Sequence, residues 1–203
     1  MGRIVATVSI FLSVASLAYG AEAPDAKQVK AVLVTGASTG IGRKITERLA
    51  ADGYFVYAGA RKDSDLKELG GIKNVQALRL DVTKPDDIEA ARKIIESGHM
   101  GLYGLVNNAG VVTIGNVVDT KMEEFDLVMS VNVYGPWRIT RAFAPMIIAA
   151  KGRITNIGSI NGIVSFQQAG AYSMSKHSIE ACSGRGPADS CLNMPRTQKS
   201  PMR

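Results

Sequence analysis

The stretch AVLVTGASTGIG, residues 31–42, decides the fold. Ala31 to Thr35 form a short apolar run, and Ile41, Ile45 and Leu49 behind it recur at helical spacing, so a strand passes into a helix through a glycine-rich turn. Glycine is needed where a backbone turns sharply and lets an anion approach closely, and the amides that open the following helix point at that anion. The spacing is Gly36-x-x-x-Gly40-x-Gly42, with Ser38, Thr39 and Ile41 in between, rather than Gly-x-Gly-x-x-Gly. Tight packing of strand on helix would also call for glycines here.

Outward from that turn the same alternation repeats. YFVYAGA (Tyr54 to Ala60), VQALRL (Val75 to Leu80), YGLVNN (Tyr103 to Asn108) and GRITNIG (Gly152 to Gly158) read as further strands. Between the third and fourth, Pro85 opens a helix carrying Ile88, Ala91 and Ile95. A long helix spans about Met122 to Ala150, and Pro136, which has no N–H, predicts a kink or restart near Val133 to Gly135. Short apolar strands separated by helices predict an α/β fold with a doubly wound parallel sheet covered on both faces.

The chain has 203 residues, 46% of them hydrophobic, enough for one domain with a buried core. Its net charge is +6, but Arg185, Arg196, Lys199 and Arg203 against Asp189 place half of that in the last stretch. No basic helix face or interleaved aromatic stripe stands elsewhere, so the charge reads as solvation and not as nucleic-acid binding. The start, MGRIVATVSIFLSVASLAYGAEA, has one basic residue, an apolar run and small residues at Ala18 and Gly20. This is a secretory signal pattern, cleaved after Gly20; the alternative is an uncleaved anchor, although Ile4 to Tyr19 is short for a span of about 20 residues. The product would be secreted or periplasmic in the first case and membrane-anchored in the second. Cys182 and Cys191 lack the second pair or the histidines of a metal site, and as a disulfide or as unpaired thiols they predict no bound metal.

Taken together, the glycine turn after the first strand, Asn107-Asn108-Ala109-Gly110 after the fourth, Ser159 after the fifth and Tyr172-x-x-x-Lys176 beyond it resemble the short-chain dehydrogenase/reductase family, in the texture of its retinol and hydroxysteroid dehydrogenase branch. The likeness covers about Lys30 to Ala181. It implies a Rossmann-type domain over residues 30–182, a nicotinamide cofactor and hydride transfer to or from a small alcohol or carbonyl substrate. By the same resemblance Gly36, Ser38, Thr39, Gly40, Ile41 and Gly42 would hold the cofactor, Asp81 and Val82 would face its adenine, and Asn107, Ala109 and Gly110 would line its groove. The choice of cofactor has a physical argument. NAD sites usually place a carboxylate at the end of the second strand to accept from the ribose 2′-hydroxyl. Here Gly59-Ala60-Arg61-Lys62 stands instead, and Arg61 offers a planar fork to a 2′-phosphate. NADP is expected, with Asp63 nearby leaving NAD open.

Tyr172 and Lys176, at i and i+4, project from one helix face. A phenol ordinarily titrates near ~10, and an ammonium within about 4–6 Å favours its charged form. Tyr172 is therefore the expected general acid and base, and the resemblance gives Lys176 the nicotinamide ribose as a second partner. Ser159, thirteen positions before Tyr172, would donate to the substrate oxygen as charge develops there, or would cap a helix. Asn132 matches the family asparagine that positions a water for proton relay to the lysine, or is a buried hydrogen-bonding residue.

Family members continue beyond the tyrosine helix into a sixth strand, a Pro-Gly turn, a substrate-covering segment and a seventh strand. Here Ser183-Gly184-Arg185-Gly186-Pro187 stop the helix, and residues 183–203 read as a disordered basic tail. The expectation is a sheet incomplete at its C-terminal edge, from a truncated or frameshifted chain. Two functions follow from it: an NAD(P)-dependent oxidoreductase, or a catalytically inactive remnant that binds nucleotide weakly or folds poorly. A homo-oligomer is open under both.

Overall fold

The structure, a computed structural model, describes residues 29–183. The N-terminal signal or anchor pattern, Cys191 and the basic tail beyond Ser183 lie outside the described residues. Among the described residues, no helix is long and apolar enough to cross a membrane.

Five parallel strands, β1 (Ala31–Val34), β2 (Phe55–Ala60), β3 (Val75–Arg79), β4 (Gly104–Asn107) and β5 (Arg153–Asn156), form one sheet in the order β3-β2-β1-β4-β5. After β1 the chain turns to β2 on one side and later resumes with β4 on the other, so the strand order reverses between β1 and β4. A crevice opens outside the carboxyl ends of strands at such a point. Each observed strand is shorter than its apolar run by one to three residues, because the residues at the ends of the runs already belong to the turns that flank the strands.

Helices cover both faces. On one, α1 (Gly40–Ala51) and α2 (Asp63–Gly70), the latter through Leu69, close over Val32, Val34, Val56 and Val106. On the other, α3 (Pro85–Ser97) and α5 (Gly135–Ala149) bury Leu33, Tyr57, Ile95, Ile139, Phe143 and Ile147. β1 and β4 are buried along their whole length, as strands covered on both faces should be. β5, the last strand of the described sheet, alternates exposed and half-buried residues. Helix α2 has no counterpart in the sequence reading, since its eight residues bury only Leu69 and show no apolar stripe.

Helix α3 starts at Pro85, where the missing N–H removes no helical bond. The long helix is not continuous: α4 (Met122–Met129) passes into a π-helical turn, Ser130–Tyr134, before α5. Pro136 explains the break. Without an N–H it cannot bond the carbonyl of Asn132 four residues back, and a wider turn absorbs the mismatch. Gly135 contributes a close approach, since a Cβ there would lie 2.8 Å from Val82 Cγ2. Pro145, by contrast, sits inside α5 without ending it, because Phe143 and Ile147 on either side are fully buried and hold the axis. Helix α6 (Gly170–Ser183) returns along the β5 side of the crevice.

Candidate active site

Thr35 follows β1 directly and ties the two strands that flank the crevice. Its hydroxyl donates to Val106 O at 3.3 Å and accepts from the amides of Asn108 (3.0 Å) and Ala109 (3.1 Å). Asn108 Nδ2 reaches back to Thr35 O (3.0 Å) and Gly36 O (2.9 Å). These bonds draw the glycine turn so close to the β4 loop that a Cβ on Gly36, at φ +64, would meet Ala109 Cα at 2.8 Å. A Cβ on Gly42 would stand 2.3 Å from both Gly36 O and Asn108 Nδ2. Thr39 precedes α1 with extended backbone and makes no side-chain cap, so its hydroxyl and the first amides of the helix are left for an external anion.

The crevice is a cleft of about 530 Å³. Gly36, Ser38, Thr39, Gly40, Ile41, Arg61, Asp81, Val82, Ala109, Gly110, Tyr172 and Lys176 all line it. Gly42 does not, because it is buried against the turn and its lack of a side chain serves packing. Asn107 is also corrected: it points into the sheet's covered side, is 5% exposed and donates to Thr140 Oγ1 (3.1 Å) and Asn156 Oδ1 (2.9 Å). Successive strand residues face opposite ways, so its neighbour Asn108 takes the cleft position. The consecutive asparagines carried that signal, but which of them faced the cleft depended on the register of β4. A larger depression on the outer face of α1, lined by Ile41, Ile45, Leu49 and three basic residues, contains none of the candidate catalytic groups.

Helix α6 brings Tyr172 and Lys176 to the cleft and is fastened by hydrogen bonds at Ser173 and Ser175, beside and near Tyr172. Asn161 Nδ2 donates to Ser173 Oγ at 3.2 Å, and Asn132 Nδ2 donates to Ser175 Oγ at 3.0 Å. Lys176 is 7% exposed; its Nζ donates to Ile157 O, just past β5, at 2.7 Å and lies 5.7 Å from the centroid of the Tyr172 ring. Asn132 is 2% exposed, and its amide is fully engaged: Oδ1 accepts from Val111 N–H (2.9 Å) and Nδ2 also donates to Val111 O (2.9 Å). Its side chain thus pairs with the β4 loop instead of reaching the cleft. Ser159 stands next to the cleft-lining Ile157 and Gly158 but is not itself in the lining. It caps the 3₁₀ turn Ile160–Gly162, its Oγ accepting from Asn161 N–H at 3.2 Å. An extended residue with a short hydroxyl before a turn satisfies the nearest free amide. The hydroxyl proton is not consumed by that bond, since the oxygen serves there as acceptor.

Two of the charged groups that line the cleft are perturbed. Burial alone would raise the Asp81 carboxyl, but hydrogen bonds from the Thr83 hydroxyl and amide, with Arg61 and Lys84 nearby, outweigh it and hold the group below its usual value. Burial pushes the Lys176 ammonium below its ordinary 10.5, with the Glu180 carboxylate opposing. In the window between that depressed folded value and 10.5, the unfolded chain binds more protons than the folded one, so this lysine's contribution to stability rises with pH. Urea denaturation at increasing alkaline pH should show the wild type gaining on Lys176→Met; a constant difference would contradict the burial of a titrating ammonium.

The family model for short chain dehydrogenase matches residues 30–184. The mitochondrial D-beta-hydroxybutyrate dehydrogenase of Bos taurus is 36% identical over 192 residues, covering 90% of this chain and 56% of that protein. Retinol dehydrogenase 5 of Mus musculus is 35% identical over 158 residues, covering 75% of this chain and 49% of that protein. The chain thus spans about half the length of these curated relatives. Among solved structures, a short chain dehydrogenase/reductase from Burkholderia phymatum in complex with NAD superposes with TM-score 0.73 at 26% identity, over 77% of this chain and 58% of that one. An alcohol dehydrogenase from Thermococcus sibiricus complexed with 5-hydroxy-NADP gives TM-score 0.70 at 29% identity, over 75% and 68%.

Proposed function

The chain belongs to the short-chain dehydrogenase family, and on that premise we propose that it is an NADP-dependent oxidoreductase acting on a hydrophobic secondary alcohol or ketone, with Tyr172 as general acid and base. The observation that carries the reading is the meeting of Tyr172 and of Lys176, itself fixed on Ile157 O, with the Gly36–Ile41 cradle in one cleft.

The cradle suits a dinucleotide: it has no side chains at Gly36 and Gly40, open amides at the start of α1, and Arg61 at the far end for a 2′-phosphate. The nicotinamide, when bound, supplies or accepts the hydride. Tyr172 Oη takes the hydroxyl proton of an alcohol as it becomes a ketone and returns it in the reverse direction. Lys176 supplies positive charge beside the phenol, in a site where burial strengthens it. Ser159, with its hydroxyl proton still available, donates to the substrate oxygen. We assign the Asn132 backbone carbonyl, to which Pro136 offers no N–H, as the relay group on this helix, while the Asn132 side chain positions the elements around it.

Substrate class follows from the rim. Val112 lines the cleft and is exposed, as are Ile114 on the same loop and Ile160, Ile163 and Phe166 on the segment that begins with the cleft-lining Ile157 and Gly158, and neither residues 108–120 nor residues 157–169 carry a lysine or arginine. Such a rim favours an apolar neutral substrate over a hydroxy acid, whose carboxylate would lack a partner there. With NADPH, the chain should reduce a bulky neutral ketone and leave acetoacetate untouched; the reverse preference would sink this reading. A second reading, nucleotide binding without turnover, is favoured by the exposed β5 edge beside Ile157, to which Lys176 is fastened. Saturable NADPH binding with no reduction of any ketone would select it.

A further inference from the structure

We propose that Arg79, which lies outside the cleft, sets the preference of the nucleotide site for a 2′-phosphorylated adenosine by covering the carboxylate of Asp63. This rests on the NADP reading above.

The sheet register places Arg79 opposite Ala60, the last residue of β2, so its side chain lies beside the loop that follows. One guanidinium nitrogen, Nη1, donates to Arg61 O at 2.6 Å. The other, Nη2, meets the Asp63 carboxylate. Arg79 therefore clasps both ends of the Arg61–Asp63 segment, and it does so from the strand that also leads to Asp81. Within the cleft Arg61 Nη1 faces Asp81 Oδ2 at 4.0 Å, while Asp81 Oδ1 already accepts from Thr83 N–H (2.9 Å) and Thr83 Oγ1 (2.7 Å).

The charges around Arg61 decide what this arrangement does. Lys62, Arg79 and Lys84 are the other cations and Asp63, Asp81 and Asp87 the anions, so the group carries one net positive charge. Without Arg79 the balance falls to zero and Asp63 stands bare. Asp63 would not leave, since a carboxylate in the first turn of α2 complements that helix end. A bare carboxylate at this strand end repels a phosphate dianion and suits an unphosphorylated ribose. The Arg79 and Asp63 side chains are 50% and 89% exposed, and an ion pair so exposed contributes little to stability. Replacing Arg79 should thus change nucleotide choice and leave the fold intact.

The test is calorimetric titration of the full chain with 2′,5′-ADP and with 5′-ADP, which report the adenosine end without any turnover. Wild type should bind 2′,5′-ADP more tightly, and Arg61→Ala should remove that advantage; equal binding of the two by wild type would refute the NADP reading itself, whatever Arg79 does. Arg79→Gln, with an unchanged melting temperature, should weaken 2′,5′-ADP by about five- to tenfold and 5′-ADP by less than about twofold. The loss should shrink between about 0.1 M and 1 M salt, where the screening length falls from about 10 Å to about 3 Å. Adding Asp63→Asn to Arg79→Gln should restore most of the affinity. If wild type prefers 2′,5′-ADP but Arg79→Gln weakens both nucleotides alike, or Asp63→Asn restores nothing, Arg79 has no such role.

Discussion

Tyr172→Phe should bind NADPH as wild type does and reduce a ketone about 10²–10⁴-fold more slowly, the range contributed by a positioned acid or base. The substitution removes one oxygen and little volume. Tyr172 lines the cleft through α6, whose fastening runs through neighbouring residues: Asn161 to Ser173 at 3.2 Å and Asn132 to Ser175 at 3.0 Å. Because neither fastening uses the phenol oxygen, the helix, Lys176 and the glycine cradle should keep their places. Stopped-flow reduction and a fluorescence titration on the same preparation would separate the chemistry from binding. Turnover that survives the loss of the hydroxyl would move the acid–base role to another group.

The second large effect concerns stability. Asn132→Ala should destabilise the domain by about 1–3 kcal/mol, measured by urea denaturation, because it leaves the half-buried Val111 N–H and C=O without their Asn132 partner, and an unsatisfied buried group costs about 1–3 kcal/mol. Asn132→Asp keeps the shape but turns an oxygen toward Val111 O and Ser175 Oγ, where the amide now donates at 2.9 and 3.0 Å. It should therefore be least stable at pH values where the carboxyl is ionised and recover as acid protonates it. A pH-independent loss, or an Asn132→Ala change below about 0.5 kcal/mol, would mean that the π turn is held by packing alone.

These two residues also mark how far the amino-acid sequence could be read. The four-residue spacing of Tyr172 and Lys176 was legible, and so was their shared place on one face of a helix. Asn132 was legible as a notable residue beside a helix break, but not as the clasp between that break and the β4 loop, because Val111 is 21 residues away and nothing local names it. Ser159 was open between two roles; its extended backbone and the free amide of Asn161 made it a cap, which leaves the proton available for the chemistry proposed. Arg79 escaped notice altogether: in sequence it is, with Gln76, one of two polar residues in an apolar run, and only the pairing of β3 with β2 sets it beside Arg61 and Asp63.

The sequence by itself determined the elements whose causes are local: a glycine turn that needs positive φ, a helix opened by Pro85, a break imposed by the missing N–H of Pro136, and an alternation of strands and helices that admits a parallel sheet. Tertiary structure decided which side chains face the cleft and which are tied behind it. Asn108 serves the cleft and Asn107 the interior because the first is bonded to Thr35, 73 residues away, and the second to Asn156, 49 residues away. The physical reason is one of range: backbone torsions and missing donors act within a turn or two of chain, whereas a hydrogen-bond partner across a sheet exists only once the register of distant strands is fixed.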